Sequence, residues 1–292
     1  MKRSFYLLIL ALLALVPTSF GGETNPFFAM DTIARGRPEV VVPMLKELGF
    51  AGLGGAPGDA AMAQALSAAG LRYFNGYHTI SFEAARPALD ERLRKVIDAM
   101  PGAALWLSVG RVQREGAAFP NSSADGDEIA LRGLRELAAF AGPRGVKIAL
   151  YPHAGSWLEC MEDATRLAEK MNDPAVGVTF NLCHWLKVEG SARDPAPVLR
   201  AALPRLMFVT INGADTGDTK KMSWDRLIQP LGAGSYDVAA FVRIARQAGY
   251  AGPIGFQGYG IKAPPREILT KTMAAWKDMG LSTPHPGAKE DK

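Results

Sequence analysis

The sequence predicts a single (β/α)8 barrel, and three observations carry the prediction. Short apolar strands alternate with helical segments along nearly the whole chain, with no run of consecutive strands. The 292 residues, 48% hydrophobic and 21% charged, suit one large domain of this kind. Finally, four successive strands in the second half end in polar side chains, as strands do at the catalytic mouth of a barrel. These are residues 146–155 (VKIALYPHAG), 176–186 (VGVTFNLCHWL), 206–215 (LMFVTINGAD) and 253–260 (PIGFQGYG). An open doubly wound sheet is the competing architecture, but a phosphate-binding glycine fingerprint after the first strand is absent.

Residues 1–22 read as a signal peptide. Lys2 and Arg3 precede an apolar run over residues 5–16, followed by the small residues Ser19, Gly21 and Gly22. The protein is therefore expected to be exported, periplasmic or secreted, with no stable membrane insertion after cleavage. An uncleaved anchor is the alternative. The barrel is assigned to residues 23–281. Its first strand, FFAMDT (27–32), places Asp31 at a strand end. Residues 38–49 form a helix, with Pro38 in the first turn, apolar Val41, Met44, Leu45 and Leu48 at helical spacing, and Gly49 as C-cap. The unit repeats as strand 50–56, helix 59–70, strand 71–77 with His78 just beyond it, helix 86–100, strand 103–109 and helix 125–141. The second half continues with helices 162–172, 196–203, 236–249 and 266–279 between the four polar-ended strands. Residues 282–292, rich in Pro, Gly and charge, read as a flexible tail.

Two loops exceed what their connections need. Residues 112–127 and 215–234 follow strands and are expected to lie over the mouth as lids or walls. Trp224 in the second is a candidate platform for stacking a sugar, or else packs its own loop. The formal charge of +4 falls by two when Lys2 and Arg3 are removed, and there is no basic stripe, so nucleic acid is not an expected partner. The two cysteines, Cys160 and Cys183, lie beside strand ends. Two buried thiols are the expected state, with a disulfide conceivable in an oxidising compartment as the alternative.

The words KIALYPHAG, GVTFNLCHWLK and GPIGFQGYG, in this order and spacing, resemble the xylose-isomerase-like sugar phosphate isomerase/epimerase superfamily across the whole barrel. That resemblance implies a divalent metal held by Glu, Asp, His and Glu at the ends of the fifth to eighth strands, polarising a ketose or aldose. This chain departs from the pattern at each of those positions. Tyr151 and Asn181 stand where Glu and Asp are expected, Thr210 or Asn212 replaces His, and Gln257 replaces the last Glu, while His153 and His184 are kept. Neutral amides, a phenol and a hydroxyl do not offset a divalent charge as carboxylates do, so no metal site and no cofactor are expected. A loosely bound Mn, Mg or Zn is the alternative. The replacements are polar and similar in shape, which suits a neutral, hydroxyl-rich ligand.

His153 and His184, on consecutive strand ends, are the candidate acid–base pair. Asp31, Tyr151, Asn181, Lys187, Asn212, Asp215, Trp224, Gln257 and Tyr259 complete the candidate substrate-binding shell. The resemblance implies proton abstraction next to a carbonyl of a carbohydrate or keto-sugar, giving isomerisation, epimerisation or elimination. A non-catalytic carbohydrate-binding barrel is the second reading. A small-molecule carbohydrate is the expected partner, and a homo-oligomer is left open.

Overall fold

The computed structural model describes residues 25–55 and 58–280. The expected signal peptide and tail lie outside the described residues. Eight parallel strands close into a barrel: β1 (Phe27–Met30), β2 (Gly52–Gly55), β3 (Arg72–Glu83), β4 (Ala104–Arg114), β5 (Lys147–Leu150), β6 (Val176–Asn181), β7 (Leu206–Ile211) and β8 (Ile254–Phe256). Each strand pairs with its sequence neighbours, and β8 pairs with β1, which completes the ring. Among the described residues, ten helices run between and around them: α1 (Pro38–Leu48), α2 (Ala60–Ala68), α3 (Glu91–Asp98), α4 (Asp127–Ala141), α5 (Met161–Met171), α6 (Leu182–Glu189), α7 (Ala196–Ala202), α8 (Trp224–Leu227), α9 (Val238–Gln247) and α10 (Pro265–Asp278). The (β/α)8 prediction therefore holds. Among the described residues, no helix is long and apolar enough to cross a membrane.

Alternation along the strands sorts side chains into two cores. Phe28, Phe74, Trp106, Tyr151 and Phe208 point into the barrel and fill it with aromatic rings. Val176, Val178 and Phe180 point the other way, into the layer between sheet and helices. The glycine-rich words GLGG and IGF make room for the inner core. A Cβ on Gly54 or on Gly255 would come within 2.6 Å of the Phe28 ring. Helix ends follow their local chemistry. Asp59, Asp90 and Asp237 accept backbone N–H groups at the starts of α2, α3 and α9, and Gly49 closes α1 in the left-handed region at φ 84°.

Three expectations are corrected. First, β3 and β4 run well past the expected ends, paired in parallel as far as Glu83 with Gln113, and β4 folds back on a two-residue strand at Ala117–Ala118. Residues 112–118 are thus largely sheet. His78 lies within β3 near Asp90 and Arg92 rather than beyond a strand end. Second, residues after Asn181 do not form a loop but turn directly into α6, which carries His184 and Lys187. A run of apolar residues does not by itself distinguish strand from buried helix, and LCHWL belongs to the helix. Third, Cys160 and Cys183 are free thiols. Free thiols are the expected state; what differs is that only Cys183 is fully buried while Cys160 is half-buried, and desolvation pushes both up to about 12, leaving them protonated.

Candidate functional site

A cavity of about 610 Å³ opens at the C-terminal ends of the strands. Its walls come from successive βα segments: Met30, Asp31, Thr32 and Arg35 after β1, Gly55 at the end of β2, and Tyr77 from β3. Tyr151, His153 and Ala154 follow from β5, His184 from α6, Trp224 and Ile228 from the loop after β7, and Gln257 and Tyr259 from β8. Seven of the eleven candidates named from the sequence line it: Asp31, Tyr151, His153, His184, Trp224, Gln257 and Tyr259.

The two imidazoles are adjacent, with ring centroids 4.1 Å apart and planes inclined by 41°. Backbone partners fix their protons. The His153 Nδ1–H donates to the Ala154 carbonyl at 2.9 Å, which leaves Nε2 of His153 as an acceptor. The Ala154 N–H donates to Nδ1 of His184 at 3.4 Å, which places the proton of neutral His184 on Nε2. One residue, Ala154, thus sets opposite tautomers on the two rings. Burial lowers the pKa of both below the usual histidine value, more strongly for His184, and their mutual repulsion pushes His184 further down. Both are neutral at pH 7.

Asp31 lies at the end of β1 in the same cavity. Burial raises its carboxyl above the usual range, partly opposed by the Arg35 charge. Gly55, at φ 98°, leaves the space it needs, since a Cβ there would stand 2.2 Å from Asp31 Oδ1. Tyr151 packs edge-on against Tyr77 and His184, at centroid separations of 5.1 and 5.7 Å. Burial holds its phenol well above 10, so it stays protonated. The Gln257 Oε1 accepts the Tyr259 N–H at 3.0 Å.

The remaining four candidates do not line the cavity. Asn181 is buried, donates to the Pro152 carbonyl at 3.0 Å and accepts from Thr210 Oγ1 at 3.2 Å. Asn212 is turned outward, donating to the carbonyls of Leu227 (2.6 Å) and Gly213 (2.8 Å). Lys187 donates to the Met222 carbonyl at 2.7 Å, and Asp215 accepts from Arg226 at 2.8 Å. All three hold the loop that carries Trp224. No residue of the other long segment, 112–127, lines the cavity, so only the loop after β7 acts as a wall. The sequence reading missed Tyr77, Arg35, Thr32, Gly55 and Ile228. A continuous β3 hides the rim position of Tyr77, and Gly55 becomes legible only when its neighbour Asp31 is seen.

The positions where the superfamily resemblance implies a metal do not fit one. Asn181 and Thr210 satisfy each other, Asn212 faces away, and Gln257 is engaged by Tyr259. Among the described residues, no group of three or more His, Cys, Asp or Glu comes together that could hold a metal ion.

Residues 42–279 match the xylose isomerase-like TIM barrel family. The chain belongs to that family. Over 145 residues, 48% of this chain, it is 28% identical to the 3-dehydroshikimate dehydratase of Pseudomonas putida. Over 170 residues it is 26% identical to the protein of that name from Pseudomonas aeruginosa. The matches span only 22% and 26% of those relatives' lengths. Several solved structures share the fold at low identity. The IolI protein with a bound zinc atom superposes with a TM-score of 0.69 at 13% identity, covering 87% of this chain and 97% of that one. The 3-keto-D-glucoside 4-epimerase YcjR from E. coli gives 0.64 at 16%, covering 86% and 98%. The D-allulose 3-epimerase of Methylomonas sp. in complex with D-allulose gives 0.64 at 17%, covering 88% and 97%.

Proposed function

We propose that this family member is an acid–base enzyme that removes the proton next to a carbonyl of a carbohydrate or related hydroxylated keto compound. The observation that carries the reading is the pair of adjacent imidazoles that line one cavity, one facing the Ala154 carbonyl and the other the Ala154 N–H. In this reading Nε2 of His153 takes the carbon-bound proton. The electron pair moves into the carbon–carbon bond as the carbonyl π bond breaks, and the carbonyl oxygen takes the Nε2 proton of His184. The product is an enediol flanked by an imidazolium at His153 and an imidazolate at His184, whose opposite charges offset each other across the 4.1 Å between the rings. Return of the proton to the other carbon gives an isomer, and return to the opposite face gives an epimer. Loss of a β-hydroxyl as water gives a dehydration product. The similar proteins include epimerases and dehydratases, and both reaction types begin with this step. Asp31, Tyr151 and Gln257 supply hydrogen bonds to substrate hydroxyls from the other walls.

The test is deuterium incorporation at the carbon beside the carbonyl when keto-sugars are incubated with the chelator-treated protein in D₂O, followed by proton NMR. Exchange is expected in the wild type, reduced by about 10²–10⁴-fold in His153→Ala. The replacement of the family's acidic and imidazole metal positions by neutral amide, hydroxyl and phenol side chains favours a second reading, a non-catalytic carbohydrate-binding barrel. Sugar binding with no exchange in any keto-sugar would establish that reading in place of the first. We also propose export, motivated by residues 1–22. N-terminal sequencing of the protein recovered from the periplasm or medium tests it, with a start near Gly21 or Gly22 expected.

A further inference from the structure

Among the described residues, three large hydrophobic side chains are well exposed: Val40, Trp224 at 39% and Tyr259 at 61%. Two of these three line the cavity. We propose that Trp224 and Tyr259 form an outer subsite that stacks a second sugar ring, so that the substrate is a glycoside of at least two rings rather than a free monosaccharide. This rests on the reading of the cavity as a carbohydrate site.

The Trp224 ring packs against His184 and Lys187, and the backbone of both residues is anchored before any ligand arrives. Trp224 begins α8 on a loop pinned at several points: Gly213 and Gln229 exchange backbone hydrogen bonds, Asn212 holds the Leu227 carbonyl, and Thr219 holds the Leu186 carbonyl at 2.6 Å. The Lys187 ammonium, fixed on Met222, lies 5.7 Å from the indole centroid. Tyr259 is pinned through its N–H to Gln257, and the preceding Gly258 N–H donates to Thr32. A rigid, exposed aromatic at a polar cavity costs little entropy when an apolar ring face settles on it. Size agrees with this. At about 30 Å³ per water, the cavity has the room of about twenty waters, more than a single pyranose ring fills. The inner part, with the imidazoles, Asp31 and Gln257, takes the reacting ring, and the aromatic pair takes its neighbour.

The experiment is isothermal titration of the purified protein with D-glucose and with cellobiose, maltose and trehalose, repeated on Trp224→Ala, Trp224→Phe and Tyr259→Ala. At least one disaccharide is expected to bind about tenfold more tightly than glucose, close to 1.4 kcal/mol. That ratio is expected to fall toward one in both alanine variants and to recover in part with phenylalanine. Glucose binding without any disaccharide preference, or a preference that neither alanine variant changes, overturns the outer subsite and leaves the inner site standing. No binding of any sugar overturns both. Tyr259 is a surface residue, so its variant keeps the test valid if Trp224→Ala fails to fold.

Discussion

Burial strips water from the charged forms of both imidazoles, and His184, whose ring centre lies 4.1 Å from that of His153, is further disfavoured by repulsion. Their pKa values are therefore lowered in the folded protein, while each titrates near 6.5 in the unfolded chain. Between the folded and unfolded values the unfolded state binds more protons, so stability is lost as pH falls below about 6.5. Urea unfolding at pH 7 and pH 5 is expected to show this loss, and His184→Gln to reduce it. An unchanged slope in that variant would assign the pH dependence to other groups. The same shift governs activity. His153 acts as a base only when neutral, so exchange is expected to rise with pH through a value below 6.5 and then level off. At this scale the sequence was informative about residue type and poor about direction. His153, Asp31 and Gln257 were legible because strand ends set their place, and His184 because it lies in the first turn of the helix that follows one. Asn181 and Asn212 were misplaced because an amide at a strand end is equally able to serve a backbone carbonyl, and both do.

The element that shapes the mouth is the loop between β7 and α9. Asn212 anchors it from a fully buried position, and Asn212→Ala removes two donated hydrogen bonds at once. The expected cost is about 1–3 kcal/mol in urea unfolding, together with weaker sugar binding as Trp224 loses its fixed position. Full retention of binding would detach the loop from the site. Across the mouth, Gly55→Ala places a Cβ at φ 98° against Asp31. A cost of about 1–3 kcal/mol is expected from the strained backbone, with a larger proportional loss of exchange activity than of stability. The length of this loop made its role readable from the sequence. The segment 112–127 misled because its length is used to extend β4 and turn back on it, not to cover the cavity.

At the scale of the whole molecule, alternation of strand and helix was enough to specify the barrel, because each βα unit must bury one face against the next. The helix α6 escaped notice because it starts without a capping side chain directly after a buried strand. Closing the ring brings β1 and β8 together and so sets Asp31 and Gln257 on one wall, with the two histidines arriving from β5 and α6. Addition of Mn, Mg or Zn is expected to leave the thermal midpoint unchanged, since the family's metal positions carry no carboxylate and Asn181, Thr210 and Gln257 are committed to protein partners. A clear metal-induced rise would restore a metal-assisted mechanism. The central claim concerns the two proton positions that Ala154 imposes. Long-range proton–nitrogen correlation spectra of the ¹⁵N-histidine-labelled protein read them directly, and with four histidines the signals are assignable by substitution. At pH 7 the account predicts two neutral rings, His153 protonated on Nδ1 and His184 on Nε2. An imidazolium at either position, or the same tautomer at both, would contradict it.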